Sequence, residues 1–282
     1  MKTRLTLLSV KLKLPISSIS KQTLEEMKLF IIFYVFLFYA VYGENSTFEK
    51  GVTLYNIRAK NSIGLKVDPQ YINDAIANFS ATSEKSKNRL ESNIYLLKCY
   101  YFKGKFILQH PKEKKAMFSK GKDLGQELIK TFPNSTGAYY WYLVNLGSWA
   151  EEYGIIAAAK EGVADLMLEY SNRMIELDSD YEDGGGYFFL GAAHFKSPYI
   201  PFLLSWPNNK KAIQYLTLAY ETGEKTATQT VYLAQSLAKE GQKNRAITLL
   251  ENLISQQFSS YRVVEDFEQH QKAKKLLKKW VS

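Results

Sequence analysis

Two stretches decide the fold: Ala212-Ile213-Gln214-Tyr215-Leu216-Thr217-Leu218-Ala219 and, 34 residues later, Ala246-Ile247-Thr248-Leu249-Leu250-Glu251-Asn252-Leu253. Each puts its apolar or small residues at i, i+1, i+4 and i+7, the spacing of one helical face. A second register runs through the same region. Leu146-Gly147, Leu190-Gly191 and Leu233-Ala234 recur at offsets of 44 and 43. A small residue at that point lets the second helix of a hairpin pack closely against the first. Seven residues further on, Gly154 and Gly241 are free to take the positive φ that closes a helix, and Gly104 is expected to close the stretch Arg89–Lys103 in the same way. The two registers disagree by nine residues between Gly191 and Ala212. The excess falls in Ser197–Asn209 (SPYIPFLLSWPNN), where Pro198, Pro201 and Pro207 forbid a helix interior and leave an apolar loop.

A 34-residue helix–turn–helix period is the tetratricopeptide spacing. The expected fold class is therefore all-α, with antiparallel helical hairpins stacked in a tetratricopeptide-like α-solenoid or superhelix. Helices are expected near 47–62, 69–84, 89–104, 112–131, 137–153, 160–177, 187–196, 209–222, 227–240, 243–257 and 262–280. Asp68-Pro69 is a start signal and Pro133 a stop. With 7 prolines and 16 glycines in 282 residues, the turns an all-β chain needs are missing. Asp183-Gly184-Gly185-Gly186 reads as an inter-repeat turn, or as a close approach of backbone to a ligand.

Leu29–Tyr42 is an uncharged apolar run of fourteen, short of the roughly 20 residues a spanning helix needs. With Lys28 before it and Val41-x-Gly43 after it, the run suits a secretory signal beginning at Met27. Residues 1–43 are thus expected to form a signal region and 44–282 a repeat domain outside the cytoplasm. No cysteine follows the run, so a lipid anchor has no attachment point. The formal charge is +9, with six basic and two acidic residues in the first 43. The remaining excess is too mild to indicate nucleic acid.

No constellation for catalysis is visible. Phosphate-loop, dinucleotide and nucleophile-elbow spacings are absent. Glu151 and Glu152 are adjacent and so are expected on different helix faces. His110, His194 and His270 are 84 and 76 residues apart, which does not suit a metal. Cys99 stands alone and reads as a small buried residue. The chain is expected to be no enzyme and to need no cofactor.

Aromatic residues are the outlying feature, 14% of the chain. On a helix, Trp141, Asn145 and Trp149 stand one above another, with Tyr142 and Tyr153 flanking the same surface. Two readings are open: the indoles fill core and Asn145 serves a neighbouring loop, or the strip Tyr140, Trp141, Asn145, Trp149, Tyr153 lines a ligand channel. Tyr199, Phe202 and Trp206 in the proline-rich loop either contact a partner or fold back over a repeat edge. Ala273, Leu276, Leu277 and Trp280, ringed by lysines, form either a terminal cap or a membrane-surface helix.

The ordered series AYYWYLVNLGSWAEEYG (138–154), IELDSDYEDGGGYFFLGAAHFKSP (175–198), NKKAIQYLTLAYE (209–221) and YLAQSLAKEGQKNRAITLLENLI (232–254) resembles the T component of tetratricopeptide-repeat-associated TRAP transporters. The resemblance covers roughly 90–260. It implies an extracytoplasmic accessory protein of solute uptake that binds a periplasmic solute-binding protein, forms homo-oligomers with a channel through each subunit, and takes an apolar solute. Members of the family are often lipoproteins. The alternative expectation is a general tetratricopeptide scaffold for protein–protein interaction in the cell envelope.

Overall fold

The computed structural model describes residues 21–82, 86–198 and 204–281. The chain divides into two units, Met1–Asn45 and Ser46–Ser282. In the first, helix α1 (Lys21–Asn56) begins, and its side chains from Met27 to Tyr34 are exposed. The boundary expected after Gly43 falls within α1. Among the described residues no helix is long and apolar enough to cross a membrane.

The second unit holds α2 (Gln70–Ser80), α3 (Arg89–Phe102), a π-helical turn (Lys103–Ile107), α4 (Pro111–Thr131), α5 (Thr136–Tyr153), α6 (Ile155–Lys160), α7 (Val163–Leu177), α8 (Tyr181–Lys196), α9 (Asn209–Glu221), α10 (Ala227–Lys239), α11 (Lys243–Ser255) and α12 (Val263–Val281). Among the described residues there is no strand. The starts are set by side chains that satisfy otherwise orphaned backbone N–H groups. Asp68 accepts from Gln70 N at 2.9 Å, Ser135 from Ala138 N at 3.2 Å, and Asn208 from Lys210 N at 2.9 Å. Thr226 and Gln229 form a reciprocal capping box.

Gly154 (φ 88°) and Gly241 (φ 81°) close α5 and α10 as their spacing predicts. Gly104 does not. It lies inside the π turn without a positive φ, and its missing Cβ makes room for the Phe118 ring. The stretch Arg89–Lys103 therefore widens rather than stops. At Gly191 a Cβ would stand 2.6 Å from Leu216 Cγ, and at Gly147 one would stand 3.0 Å from Met167 Cε. These are the close approaches of second helix to first that the Leu-Gly register requires. Leu216 and Leu250 are both fully buried and belong to one core with Ala212, Ala246 and Ala273, so the 34-residue repeat has equivalent surroundings.

The Asp183–Gly186 turn is more tightly wound than a glycine-rich linker. Glu182 (φ 48°), Asp183 (φ 58°) and Gly184 (φ 78°) are left-handed in succession, and regular helix begins after them. Non-glycine residues in this region cost about 1 kcal/mol or more each, so neighbouring contacts must hold them there. Asp183 O accepts from Gln229 Nε2 at 2.6 Å, Asp183 Oδ1 accepts from Glu224 N at 2.8 Å, and Arg262 stands 3.8 Å from Asp183 Oδ2. What approaches the glycines is protein: Thr222 at Gly184, Tyr140 at Gly185 and Ile175 at Gly186.

Helix α12 joins the two ends of the array. Val264 lies in the core of α2 and α3, while Ala273, Leu276, Leu277 and Trp280 pack on that of α9 to α11. Arg58, at the end of the first hairpin, donates to Tyr261 O and to Glu265 Oε1, both at 2.7 Å. The lysine-ringed C-terminal face is thus spent on covering hairpins.

Candidate functional site

Helices α3, α5, α8, α10 and α12 form the inner row, each touching the next, with α4, α7, α9 and α11 outside them. A chain of ring contacts runs along that row. Tyr101 meets Trp141 at 6.4 Å between centroids, Trp141 meets Tyr140 at 5.1 Å, and Tyr140 meets Phe189 at 5.2 Å. Phe189 continues to Phe188, and Phe188 to Tyr232 at 5.2 Å. Burial pushes the phenols of Tyr101, Tyr140 and Tyr232 well above the ordinary range, so they stay protonated as hydrogen-bonding groups.

Charges are set into this aromatic row. Lys98 stands over the Tyr95 and Trp141 rings at 4.8 and 5.1 Å and 3.9 Å from Glu182. Burial lowers its pKa, and the Glu182 charge opposes that. Lys196 and Lys272 both stand over Tyr232, at 5.3 and 5.4 Å. Where the π turn, α4, α5 and α12 meet there is a cavity of about 290 Å³, lined by Leu65, Lys105, Phe106, Gln109, Lys114, Phe118, Ser148, Glu151, Glu152 and Glu268. Its walls are charged. Glu151 and Glu152 both border this space from different sides of α5: Glu152 stands 3.7 Å from Lys114, while Glu151 is exposed.

The strip expected to line a channel divides. Tyr140 and Trp141 lie in the inner aromatic row. Asn145 is fully buried against α3, donating from Nδ2 to Leu97 O at 3.1 Å and Trp141 O at 2.8 Å. Trp149 donates from Nε1 to Ser119 Oγ of α4 at 3.1 Å and stacks on Tyr153, whose hydroxyl lies 3.1 Å from the same oxygen. An i, i+4, i+8 strip follows one face of α5, but α4 covers that face from Asn145 onward. Tyr199 and Phe202 lie outside the described residues. Trp206 is folded back, its Nε1 donating to Asp165 Oδ1 at 3.0 Å and its ring meeting His194 edge-on at 4.9 Å.

Tyr101, Phe188, Tyr232 and Lys196 escaped the sequence reading, and Lys272 entered it only as one of the lysines around the C-terminal helix. A signal for Lys196 was present: Glu152, Lys196 and Lys239 each follow the register leucines Leu146, Leu190 and Leu233 by six residues, which places them at one end of the inner row.

Among the described residues no group of histidine, cysteine and carboxylate side chains is placed to hold a metal. Cys99 is fully buried, and burial holds its thiol well above the ordinary value, which makes it a poor nucleophile. The sequence matches no protein-family model and no curated protein. The fold is similar to that of a thermophilic tetratricopeptide-repeat protein from Thermus thermophilus, with a TM-score of 0.54 at 13% identity, the match covering 84% of this chain and 98% of that one. At that identity the likeness speaks for the fold alone: the chain is an all-α, tetratricopeptide-like array of antiparallel helical hairpins.

Proposed function

We propose that the chain is a non-enzymatic binding scaffold whose inner wall, with its rims, holds a partner protein. The observation that carries this reading is the continuous row of aromatic rings from Tyr101 to Tyr232 with lysines and carboxylates set into it. Aromatic anchors with interspersed charge are what protein recognition surfaces are built from. The motif series over 138–254 supports a narrower form: an extracytoplasmic accessory protein that binds the solute-binding protein of a TRAP-type uptake system. The apolar run Leu29–Tyr42 supports export. A scaffold for other envelope proteins is the second reading, favoured by the tetratricopeptide-like fold itself.

The test is affinity capture from the envelope of the producing cells with the tagged chain, wild type beside Tyr232→Ala. Recovery of a solute-binding protein that the variant loses is the expected outcome. Recovery of a different envelope protein in its place would favour the second reading, and capture that is insensitive to Tyr232 would count against the inner wall. N-terminal sequencing of the extracytoplasmic protein is expected to begin at Glu44.

A further inference from the structure

We propose that the basic rim formed by the last turns of α12, with the C-terminal ends of α8 and α10 beside them, is a docking surface for an anionic phospholipid bilayer. Its outward face is separate from the inner wall, and its role holds whether or not that wall takes a partner.

Within α12, Lys274, Lys275, Lys278 and Lys279 stand at i, i+1, i+4 and i+5, which at about 100° per residue spans roughly 140° of the helix. All four are exposed. Ala273, Leu276, Leu277 and Trp280 occupy the opposite arc and are committed to the core of α9 to α11, so the lysine face points away from the fold. The neighbouring helix ends add to it. Lys196, the last residue of α8, and Lys272 both lean on the Tyr232 ring, at 5.3 and 5.4 Å. Lys239, the last residue of α10, leans on Phe195 at 5.4 Å, and Phe195 meets Tyr232 at 6.1 Å. Lys196, Lys239, Lys272, Lys274, Lys275 and Lys279 make no ion pair among the described residues. Glu240, the carboxylate next to Lys239, accepts from Asn209 Nδ2 of α9 at 2.9 Å. Lys272, on the inner edge of the rim, also senses Glu151 and Glu268, so the α12 face beyond it carries most of the docking.

Residues 44–282 hold 31 basic and 26 acidic side chains, and 24 and 26 once these seven lysines are set aside. The positive excess of the repeat domain therefore sits in this one rim. Helix stability does not account for the run. Lysines four apart repel one another, and the helix dipole favours cations in the last turn alone, whereas Lys274 and Lys275 precede it. The chemistry fits a membrane better than an acidic protein or a nucleic acid. All seven cations are lysines, compact point charges, where shaped recognition of single carboxylates or phosphates favours the forked arginine. They are spread over three helix ends, as suits a sheet of diffuse negative charge, to which clustered lysines on a helix are drawn. Because the apolar side of α12 is already covered, the helix cannot roll into the bilayer as a free amphipathic helix does. Attachment is therefore by charge and reversible by salt.

Vesicle flotation with the full chain tests this, using phosphatidylcholine vesicles with and without about 30% phosphatidylglycerol. The chain is expected to bind the anionic vesicles at least roughly tenfold more tightly than the neutral ones, and to leave them in about 0.5 M NaCl. The triple variant Lys274→Gln, Lys275→Gln, Lys279→Gln should lose a factor of about five per lysine, on the order of a hundredfold in all. A second triple variant, Lys112→Gln, Lys130→Gln, Lys160→Gln, removes the same charge from exposed positions elsewhere and should lose less than about tenfold. All six positions are exposed, and unchanged circular dichroism would show that the fold persists. Equal binding to both kinds of vesicle would overturn the proposal, since the apolar run Leu29–Tyr42 would then be the attachment. Equal losses in the two variants would reduce the effect to net charge and overturn it too. So would tighter binding to polyglutamate or to single-stranded DNA than to the anionic vesicles, compared at equal anionic charge, which would assign the rim to an acidic protein or to a nucleic acid.

Discussion

Asn145 has no exposed surface, and its amide bridges α5 to the Leu97 carbonyl of α3. Across from it, Gly121 of α4 has no room for a Cβ, which would collide with Asn145 Oδ1. Asn145→Ala removes two buried hydrogen bonds, to Leu97 O and Trp141 O, and is expected to cost about 1–2 kcal/mol. Gly121→Ala should cost a similar amount through overpacking. In the double variant the collision is largely relieved, so denaturant unfolding of all four species should give a favourable coupling of about 1 kcal/mol or more. The sequence identified Asn145 as a buried polar residue in need of a partner. It did not reveal the partner, because Leu97 is 48 positions away and its carbonyl has no side-chain signature. His194 is another residue whose role depends on distant contacts. It accepts from Asn208 N at Nδ1 (3.2 Å) and so pins the proline-rich loop. Burial and the Lys211 charge lower its pKa below 6.5. Burial lowers His270 likewise. Since the unfolded chain takes up these protons more readily, the stability they contribute is complete above pH 6.5 and is lost as pH falls below it. Thermal melts from pH 7 to 5 should show that decline, and His194→Asn, which keeps an acceptor but cannot ionise, should make it shallower.

Among the elements, helix existence and type were readable from sequence, because caps such as Asp68 and Asn208 and stops such as Gly154 act within a few residues of themselves. What residue type and spacing do not report is surroundings. Gly104 carries the residue type of a helix stop, yet it serves as a slot for Phe118 from the next helix. The α5 strip has the right spacing for one face, but whether that face meets an inner or an outer helix is decided by α4, which periodicity within α5 cannot report. The repeat itself is a firmer inference. Leu216 and Leu250 occupy equivalent places in α9 and α11, both fully buried. Leu216→Ala and Leu250→Ala should therefore each cost about 2–5 kcal/mol, and by similar amounts, in chemical denaturation. Unequal losses would show that the 34-residue offset is a coincidence of sequence.

Within Ser46–Ser282, the first and last hairpins are tied to one another through α12. Arg58 and Glu265 are the polar part of that tie, with the arginine side chain 6% exposed. Arg58→Met would leave the glutamate partly buried without its partner, at a cost of about 3 kcal/mol. Hydrogen exchange should then quicken at both ends, in 47–60 and in 263–281, rather than at the mutated end alone. None of this tie could be read from the sequence, since Arg58 and Glu265 are 207 positions apart and each looks like an ordinary surface charge. Joined ends also constrain how such a chain changes in evolution. An open stack can gain or drop a unit at its terminus and keep its remaining contacts. Here the circumference sets the number of hairpins, so a duplication or deletion of 34 residues would leave α12 unable to reach both of its cores, and variation should be confined to loops such as Ser197–Asn208.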